Sequence, residues 1–379
     1  MLLALTDDQE LFRETTSKLL GEFVPAEVLR SLQDDAIGFE AEYWRRGADL
    51  GWTSLLVGEE HGGGSLSGQG LVDLTLVAHE FGRHAAPGPL AVTNVVAATL
   101  SEAGGSQSNG VIGDLLTGRS IATWCFSEPR PHDRLDNGCL DIRVNGDEVV
   151  LNGVKRPVES GHGASHLLVS GRTGAGYSQV LVPAGASGMT LATMQSVDLT
   201  RRFSVVTFDD VRLPSSTVIG EIGCAGEQVT RQLRRVIAIL CAESVGTMQA
   251  AFDMTVEWAF DRYSFGRPLA SYQELKHRFA DMKTWLEASH AVSDAATLAV
   301  ALGEPDADEL LSSAKAFIGD FGSELIQDCV QIHGGIGVTF DHDLHLFLRR
   351  HTLNRGLYGT PEEHRQRLAD LVTMTESAT

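Results

Sequence analysis

The sequence predicts an α+β protein in which a central β domain separates two helical domains. Helical periodicity dominates residues 1–120 and 223–379, whereas residues 121–222 contain short apolar runs separated by turn residues. Apolar residues make up 43% and charged residues 21% of the 379 positions, a composition that supports packed cores. We therefore expect an N-terminal α-helical domain at 1–120, a central β domain at 121–222 and a C-terminal α-helical domain at 223–379.

The first block begins with a helix-start signal. Thr6 and Gln9 have the spacing of a capping box, and Asp7 and Asp8 fall in the first turn, where the helix dipole favours negative charge. Apolar residues then recur at roughly helical spacing. Glycine and proline residues separate the helices that follow, and one of these is expected at about 70–82.

In the middle block, turn residues separate short apolar runs, as is typical of an antiparallel β domain. Residues 149–151 lie between Asn145-Gly146 and Asn152-Gly153, two dipeptides that are typical of hairpin turns. Further short apolar runs follow at 167–169, 180–182, 189–191 and 205–208. Their regular spacing predicts a barrel or sandwich.

The last block contains long amphipathic stretches at about 227–263, 272–302 and 306–332. A final helix is expected to start at Thr360-Pro361-Glu362-Glu363, with Thr360 as the N-cap, Pro361 at the first helical position and Glu363 at the third.

Charge and cysteine content exclude several classes of function. The chain has 30 Lys and Arg residues against 50 Asp and Glu residues, a formal charge of −20. This balance argues against a nucleic-acid surface and a polybasic membrane anchor, although a local arginine cluster could still hold an anionic ligand. Five widely spaced cysteines without a CxxC pair disfavour disulfides and a thiolate zinc site. With neither a signal peptide nor an apolar run of about 18 residues, we expect a cytoplasmic protein.

The sequence does not match the common motifs for nucleotide binding, nucleophilic catalysis or metal binding. Gly334-Gly335-Ile336-Gly337 follows a helix rather than a strand, which disfavours a Rossmann fingerprint. The chain has no phosphate-binding GxxxxGK[ST] loop and no nucleophile elbow. His342, Asp343 and His345 could be drawn as metal ligands, but a solvated or substrate-lining helix start is the favoured interpretation, and we predict no metal.

Four segments carry more information together than separately: Trp124-Cys125-Phe126-Ser127-Glu128-Pro129, residues 262–269 followed by Gln273, Gln331-Ile332-His333-Gly334-Gly335-Ile336-Gly337, and Leu357-Tyr358-Gly359-Thr360. Each alone fits an ordinary strand edge, helix end or turn. In this order on a helix–strand–helix layout, and with Glu59-Glu60-His61-Gly62-Gly63, they resemble the acyl-CoA dehydrogenase family of flavoproteins over essentially the whole chain. The resemblance implies a β-barrel or sandwich between an N-terminal helical domain and a C-terminal four-helix bundle, with FAD as the cofactor.

The resemblance also implies two sets of FAD-binding residues. Trp124, Phe126 and Ser127 would flank the isoalloxazine of this chain, with the Ser127 hydroxyl hydrogen-bonded to the ring. The other set would serve the ADP half of a neighbouring subunit's FAD. Arg262 would contact the pyrophosphate, which suits a guanidinium that bonds phosphate oxygens bidentately. The remaining members of this set are Phe265, which would pack on the cofactor, Gln273 just beyond that segment, and Gln331, Gly334 and Gly335, where backbone approaches the adenosine.

Three departures from the family pattern affect the reacting centre. The position of the usual base, a glutamate, is Tyr358, and a phenol with an ordinary pKa near 10 is a poor base. The alternative base position is Val236, which leaves Glu243, two turns along the same helix face, as the candidate. The segment that meets CoA is replaced by residues 130–134. The family's Trp-Ile-Thr is Pro157-Val158-Glu159, and a carboxylate beside the ring would oppose the negative charge that hydride transfer brings.

Residues for a neighbour's FAD are therefore kept, while those for this chain's own flavin, base and acyl-CoA are eroded. This pattern resembles the base-lacking subunit of actinobacterial α2β2 acyl-CoA dehydrogenases. We expect FAD-dependent α,β-desaturation of an acyl-CoA in lipid or steroid side-chain β-oxidation. The expected partners are a paralogous, glutamate-bearing subunit and an electron-transfer flavoprotein as electron acceptor. A self-contained homo-oligomer that uses Glu243, and a flavin-free structural relative, remain open.

Overall fold

The structure, a computed structural model, describes residues 5–129 and 138–378. The α-helices are α1 (Asp7–Phe23), α2 (Ala26–Ser31), α3 (Ala41–Asp49), α4 (Gly70–Arg83), α5 (Leu90–Ala103), α6 (Asn109–Leu116), α7 (Gly226–Asp261), α8 (Gln273–Leu302), α9 (Ala307–His333), α10 (Leu344–Gly356) and α11 (Pro361–Ala378). The strands are β1 (Ala122–Cys125), β2 (Asp141–Asn145), β3 (Glu148–Glu159), β4 (His166–Thr173), β5 (Gly176–Pro183), β6 (Met189–Met194), β7 (Phe203–Pro214), β8 (Val218–Ile219), β9 (Tyr263–Ser264) and β10 (Arg267–Pro268). The predicted fold class, helices around a central sheet, is confirmed.

Both predicted capping boxes are present. The backbone N–H of Gln9 donates to Thr6 Oγ1 at 3.3 Å, and Gln9 Oε1 accepts from the Thr6 N–H at 3.1 Å. At the last helix, the Glu363 N–H donates to Thr360 Oγ1 at 3.3 Å and Glu363 Oε2 accepts from the Thr360 N–H at 2.7 Å. Each box satisfies backbone donors that the first turn of a helix leaves open.

The sheet has the strand order β6-β7-β3-β2-β4-β5-β8, and β1 pairs with β4 in parallel. The hairpin predicted at Asn145-Gly146 is confirmed, since Asn145 pairs with Glu148 across the β2–β3 turn. The turn predicted at Asn152-Gly153 is wrong. These residues lie inside β3, where the register against β7 shifts between Leu151 and Gly153. Gly153, at φ 145°, accommodates this irregularity within the strand, so here the dipeptide marks a bulge and not a turn.

Helix α7 is the central element of the helical core. It packs against α4, α5, α8, α9 and α10. It is also long and apolar enough to meet the length and composition criteria for a membrane span, but 83% of its most apolar window is buried inside the protein. The contacts of α7 are therefore those of a core helix.

Two glycines allow α4 and α7 to approach each other closely. A Cβ on Gly82 would lie 1.9 Å from the carbonyl oxygen of Glu243, and a Cβ on Gly246 would lie 1.9 Å from that of His79. Only glycine fits such backbone contacts. This crossing fixes Glu243 at the junction of the N-terminal helices and the C-terminal bundle.

Candidate functional site

A cleft of about 590 Å³ lies between the β domain and α10. Its lining includes Ser127 after β1, Pro157 on β3, Met194 at the end of β6 and Leu357 after α10. The predicted ring-binding Ser127 thus faces a cavity. The residues predicted to meet CoA, 130–134, lie outside the described residues.

Tyr358 forms the aromatic end of this cleft. Its ring is stacked on Trp124, with centroids 5.9 Å apart and planes 14° apart, and on Phe126 at 6.4 Å. Trp124 is 1% and Phe126 3% exposed, and Trp124 Nε1 donates to Ser170 Oγ at 2.9 Å. Trp124 and Phe126 therefore lie against Tyr358, and both rings are buried.

The phenol of Tyr358 is unsuited to accept a proton from carbon. Burial raises the pKa of Tyr358, and the nearby carboxyl of Glu159 raises it further. A phenol with a raised pKa stays protonated at neutral pH and cannot act as a general base.

Glu243 lies in a buried ion cluster. Its Oε1 accepts from Arg350 Nη1 at 2.6 Å and from Arg201 Nη1 at 3.1 Å, and Arg201 Nη1 is also 3.3 Å from its Oε2. Two guanidiniums bind its oxygens and occupy their lone pairs, so the carboxylate is not free to contact a substrate. This environment argues against the prediction of Glu243 as the catalytic base and indicates a structural role.

Arg350 connects all three parts of the fold. Besides Glu243 on α7, it donates from Nε to Asp198 Oδ2 at 2.5 Å in the β domain. Its Nη2 donates to the backbone carbonyls of Ala85 and Ala86, at 3.1 and 2.8 Å, in the N-terminal block. Although burial opposes ionisation, Arg350 holds the pKa of Asp198 below its ordinary value. The buried position of Arg350 and its pairing with Asp198 were not predicted from the sequence, because neither residue lies in a motif.

Glu159 belongs to the same cluster. Its Oε1 lies 2.5 Å from Arg201 Nε, and the residue is 5% exposed. Burial raises the pKa of Glu159, and the Arg201 guanidinium opposes that rise only in part. The expected carboxylate beside the ring is thus engaged by an arginine inside the protein and does not line the cleft.

Two residues of the second predicted set, Arg262 and Phe265, belong to an exposed hairpin between α7 and α8. Strands β9 and β10 pair through Ser264 and Arg267, and the turn residues Phe265 and Gly266 have φ values of 49° and 82°. Positive φ at both central positions is characteristic of a type I′ turn. The turn leaves Phe265 97% exposed, a large apolar ring with no cover from its own chain.

The Arg262 side chain lies over two stacked aromatic rings at the base of this hairpin. Its guanidinium carbon lies 5.9 Å from the centroid of Trp258, which is stacked on His333 at 5.2 Å and 17°. His333 is fixed in turn by its Nδ1, 2.8 Å from the carbonyl of Cys329. Among the described residues, no carboxylate lies within 4.0 Å of the Arg262 guanidinium, which leaves it available for an anion.

Gln331, Gly334 and Gly335 lie at the end of α9, and the Trp258–His333 contact joins this end to the hairpin. Gly334 has a φ of 67°, a conformation that favours glycine. A Cβ on Gly335 would meet nothing within 4 Å, so the chain's own packing does not require glycine there.

Gln273 starts α8, where Tyr272 donates from its hydroxyl to the carbonyl of Ser264 at 2.7 Å. The structure therefore brings all members of the second set to one exposed region. This region is defined by the hairpin, the start of α8 and the end of α9.

Comparison with known proteins finds family-model matches near both ends of the chain. Residues 6–109 match the family model described as the N-terminal domain of acyl-CoA dehydrogenase, and residues 227–373 match the one described as its C-terminal domain. The acyl-CoA dehydrogenase IpdE2 of Mycolicibacterium smegmatis is 26% identical over 367 residues, which cover 96% of this chain and 98% of that protein. The acryloyl-CoA reductase (NADH) of Anaerotignum propionicum is 25% identical over 384 residues, 96% of this chain and 94% of that protein.

Solved structures agree with these matches. A variant of the Tcur3481-Tcur3483 steroid ACAD superposes with a TM-score of 0.89 at 26% identity and covers 98% of this chain and 99% of that chain. A glutaryl-coenzyme A dehydrogenase in complex with glutaryl-CoA superposes with a TM-score of 0.90 at 19% identity, over 97% of this chain and 96% of that chain. The latter likeness shows the fold alone.

Proposed function

Because the chain belongs to the acyl-CoA dehydrogenase family of FAD-dependent oxidoreductases, we propose that it is a subunit that completes the FAD site of a partner. The observation that carries this proposal is a contrast between its two predicted half-sites. In the exposed region, the Arg262 guanidinium has no carboxylate within 4.0 Å among the described residues, and the Phe265 ring is almost fully exposed. Both side chains are therefore available to a ligand. The reacting end of the chain's own site is occupied by Tyr358.

The proposed reaction needs a base at the substrate α-carbon. Removal of a weakly acidic α-proton requires a positioned carboxylate and a polarised thioester carbonyl. In this chain the base position holds a phenol with a raised pKa, while Glu243 and Glu159 are engaged by buried arginines. A glutamate on the partner subunit would therefore supply the base.

FAD, when bound, supplies the hydride acceptor of the reaction. The exposed region fits the ADP half of this cofactor, since Arg262 offers an unpaired guanidinium and the backbone at Gly335 is open to close approach. In addition, Trp258 Nε1 and His333 Nε2 are buried without a hydrogen-bond partner in the described chain. Such atoms favour a site that is completed by another molecule.

The relatives support a narrower version of the proposal. One similar structure is named as a steroid ACAD made of two differently numbered polypeptides, and it shares 26% of its residues with this chain. We extend this to a heteromer that acts on the acyl-CoA of a lipid or steroid side chain, with an electron-transfer flavoprotein as electron acceptor.

The first test is the amount of flavin per chain, measured from the visible spectrum of the purified protein together with its mass in solution. The proposal expects little flavin on the chain alone and one FAD per pair with a glutamate-bearing paralogue. Arg262→Ala should lower the flavin content of that pair. Unchanged flavin content in this variant would refute the half-site.

A self-contained homo-oligomer is the second candidate, and the retained cleft beside Ser127 favours it. It predicts about one FAD per chain without a partner. In that case the base would have to be sought away from Glu243, whose oxygens are already bound.

A further inference from the structure

The exposed hairpin carries a second arginine. Arg267 on β10 pairs with Ser264 on β9, and the N–H of Leu269 donates to the Arg262 carbonyl at 2.8 Å, which continues the pairing. Residues that pair across two strands share a face, as do alternate residues along one strand. Arg262, Ser264 and Arg267 therefore lie on the same face of the hairpin.

Each of the two arginines rests on an aromatic ring. The guanidinium carbon of Arg267 lies 3.8 Å from the ring centroid of Tyr272, whose hydroxyl donates to the Ser264 carbonyl at 2.7 Å. Arg262 lies over Trp258 at 5.9 Å. A guanidinium over a ring face keeps N–H groups free at its edge, so both side chains are oriented without using up their donors.

Neither guanidinium is neutralised within the described part of the chain. No carboxylate lies within 4.0 Å of Arg262 or Arg267, although this protein carries 50 acidic residues. Some other exposed arginines do have such partners: Arg212 contacts Glu148 at 2.8 Å, and Arg119 contacts Asp114 at 2.7 Å. Two unpaired cations on one face create a local positive potential that attracts an anion.

We propose that Arg267 is a second diphosphate ligand and that it forms a two-guanidinium clamp with Arg262. This inference rests on the proposed function and specifies which part of the cofactor the hairpin holds. A single carboxylate or phosphomonoester would be satisfied by one arginine, whereas each phosphate of a diphosphate can accept a bidentate guanidinium. Tyr272 is a positioning residue, since it orients Arg267 and contacts the ligand through no atom of its own.

The experiment titrates FAD into the flavin-depleted assembled protein, with ADP as a competing probe. We expect Arg262→Ala and Arg267→Ala each to weaken FAD and ADP binding about tenfold or more, because each removes a charge-assisted contact. Both losses should shrink as salt is raised, since the clamp is exposed. Tyr272→Leu should weaken binding by a smaller factor, and Tyr272→Phe should restore it because the ring remains.

Arg172→Ala is the matched control. Arg172 is also stacked on a tyrosine, 4.7 Å from the centroid of Tyr177, but it lies in the β domain. It should leave FAD and ADP binding unchanged. The melting temperature of the three arginine variants should stay at the wild-type value, because these side chains are exposed and make no ion pair within the described residues.

The outcomes separate this inference from the proposed function. If Arg262→Ala weakens binding and Arg267→Ala behaves like Arg172→Ala, the clamp is refuted while the half-site stands. If neither hairpin variant differs from the control, or if the wild-type assembly binds neither FAD nor ADP, both are refuted.

Discussion

Arg350→Ala tests whether the buried ion cluster holds the three parts of the fold together. The side chain is fully buried and contacts Glu243 at 2.6 Å, Asp198 at 2.5 Å and two backbone carbonyls of the N-terminal block. Without Arg350, the described hydrogen bonds to the Asp198 carboxylate are those from Thr200. The Glu243 carboxylate keeps its contact with Arg201. Breaking a buried ion pair in this way typically destabilises a protein by about 3–5 kcal/mol.

This magnitude is a large part of the stability of a folded protein, which is about 5–15 kcal/mol. At about 2 °C per kcal/mol, the lower end of the usual range, the melting temperature should fall by about 6–10 °C. The assay is thermal unfolding at pH 7.5, followed by circular dichroism and by tryptophan fluorescence. The two probes report whether the helical and β parts still unfold together.

Arg212→Ala provides the matched control. Arg212 also contacts two carboxylates, Glu148 at 2.8 Å and Asp210 at 2.9 Å, but on the exposed surface. It should leave the melting temperature nearly unchanged because exposed pairs are screened by solvent. An Arg350→Ala variant as stable as Arg212→Ala would refute the reasoning, and so would a Glu243→Gln variant that lost activity with no loss of stability.

Two further predictions concern acid sensitivity and the turn after α9. Burial lowers the pKa of His290 and His364 to about 3 and that of His351 to about 4. Below pH 6.5 the unfolded chain therefore binds protons that the folded chain does not, and stability should fall by about 1.4 kcal/mol per histidine between pH 7.5 and 5.5. Urea unfolding at both pH values measures this, and a pH dependence that is unchanged in His290→Gln would contradict it. Gly335→Ala should weaken FAD binding by the assembly without changing chain stability, because its Cβ meets nothing within 4 Å. Gly337→Ala should destabilise the chain, because its Cβ would lie 2.9 Å from the carbonyl oxygen of Val330; equal melting temperatures for the two variants would contradict this.

Local signals in the sequence were sufficient for two of the helix starts. The capping boxes at Thr6 and Thr360 depend on residues three positions apart, which a reader of the sequence can see directly. The candidate FAD-binding residues came instead from the resemblance to the acyl-CoA dehydrogenase family, which short segments such as the one with Arg262 and Phe265 carry, and their roles stay predictions.

The ion cluster could not be predicted because its members are distant in sequence. Arg350 is 107 positions from Glu243 and 152 positions from Asp198. Each of these residues alone has the appearance of an ordinary charge on a helix or a loop. Their partnership depends on the close crossing of α4 and α7 and on the docking of the β domain, neither of which has a local signal. For this reason the sequence left Glu243 as a candidate base.

The two proposed half-sites differ in whether their charged side chains are paired within the chain. Inside the chain, the carboxylates of Glu159 and Glu243 and the guanidiniums of Arg201 and Arg350 neutralise one another, so none of them is available to a substrate. On the exposed hairpin the opposite holds, because Arg262 and Arg267 have no carboxylate within 4.0 Å in the described part of the chain. A carboxylate that serves as a base must be free, and a guanidinium that binds phosphate must be free as well. This contrast is what we expect of the proposed subunit, whose hairpin arginines would hold a nucleotide and whose partner would supply the base.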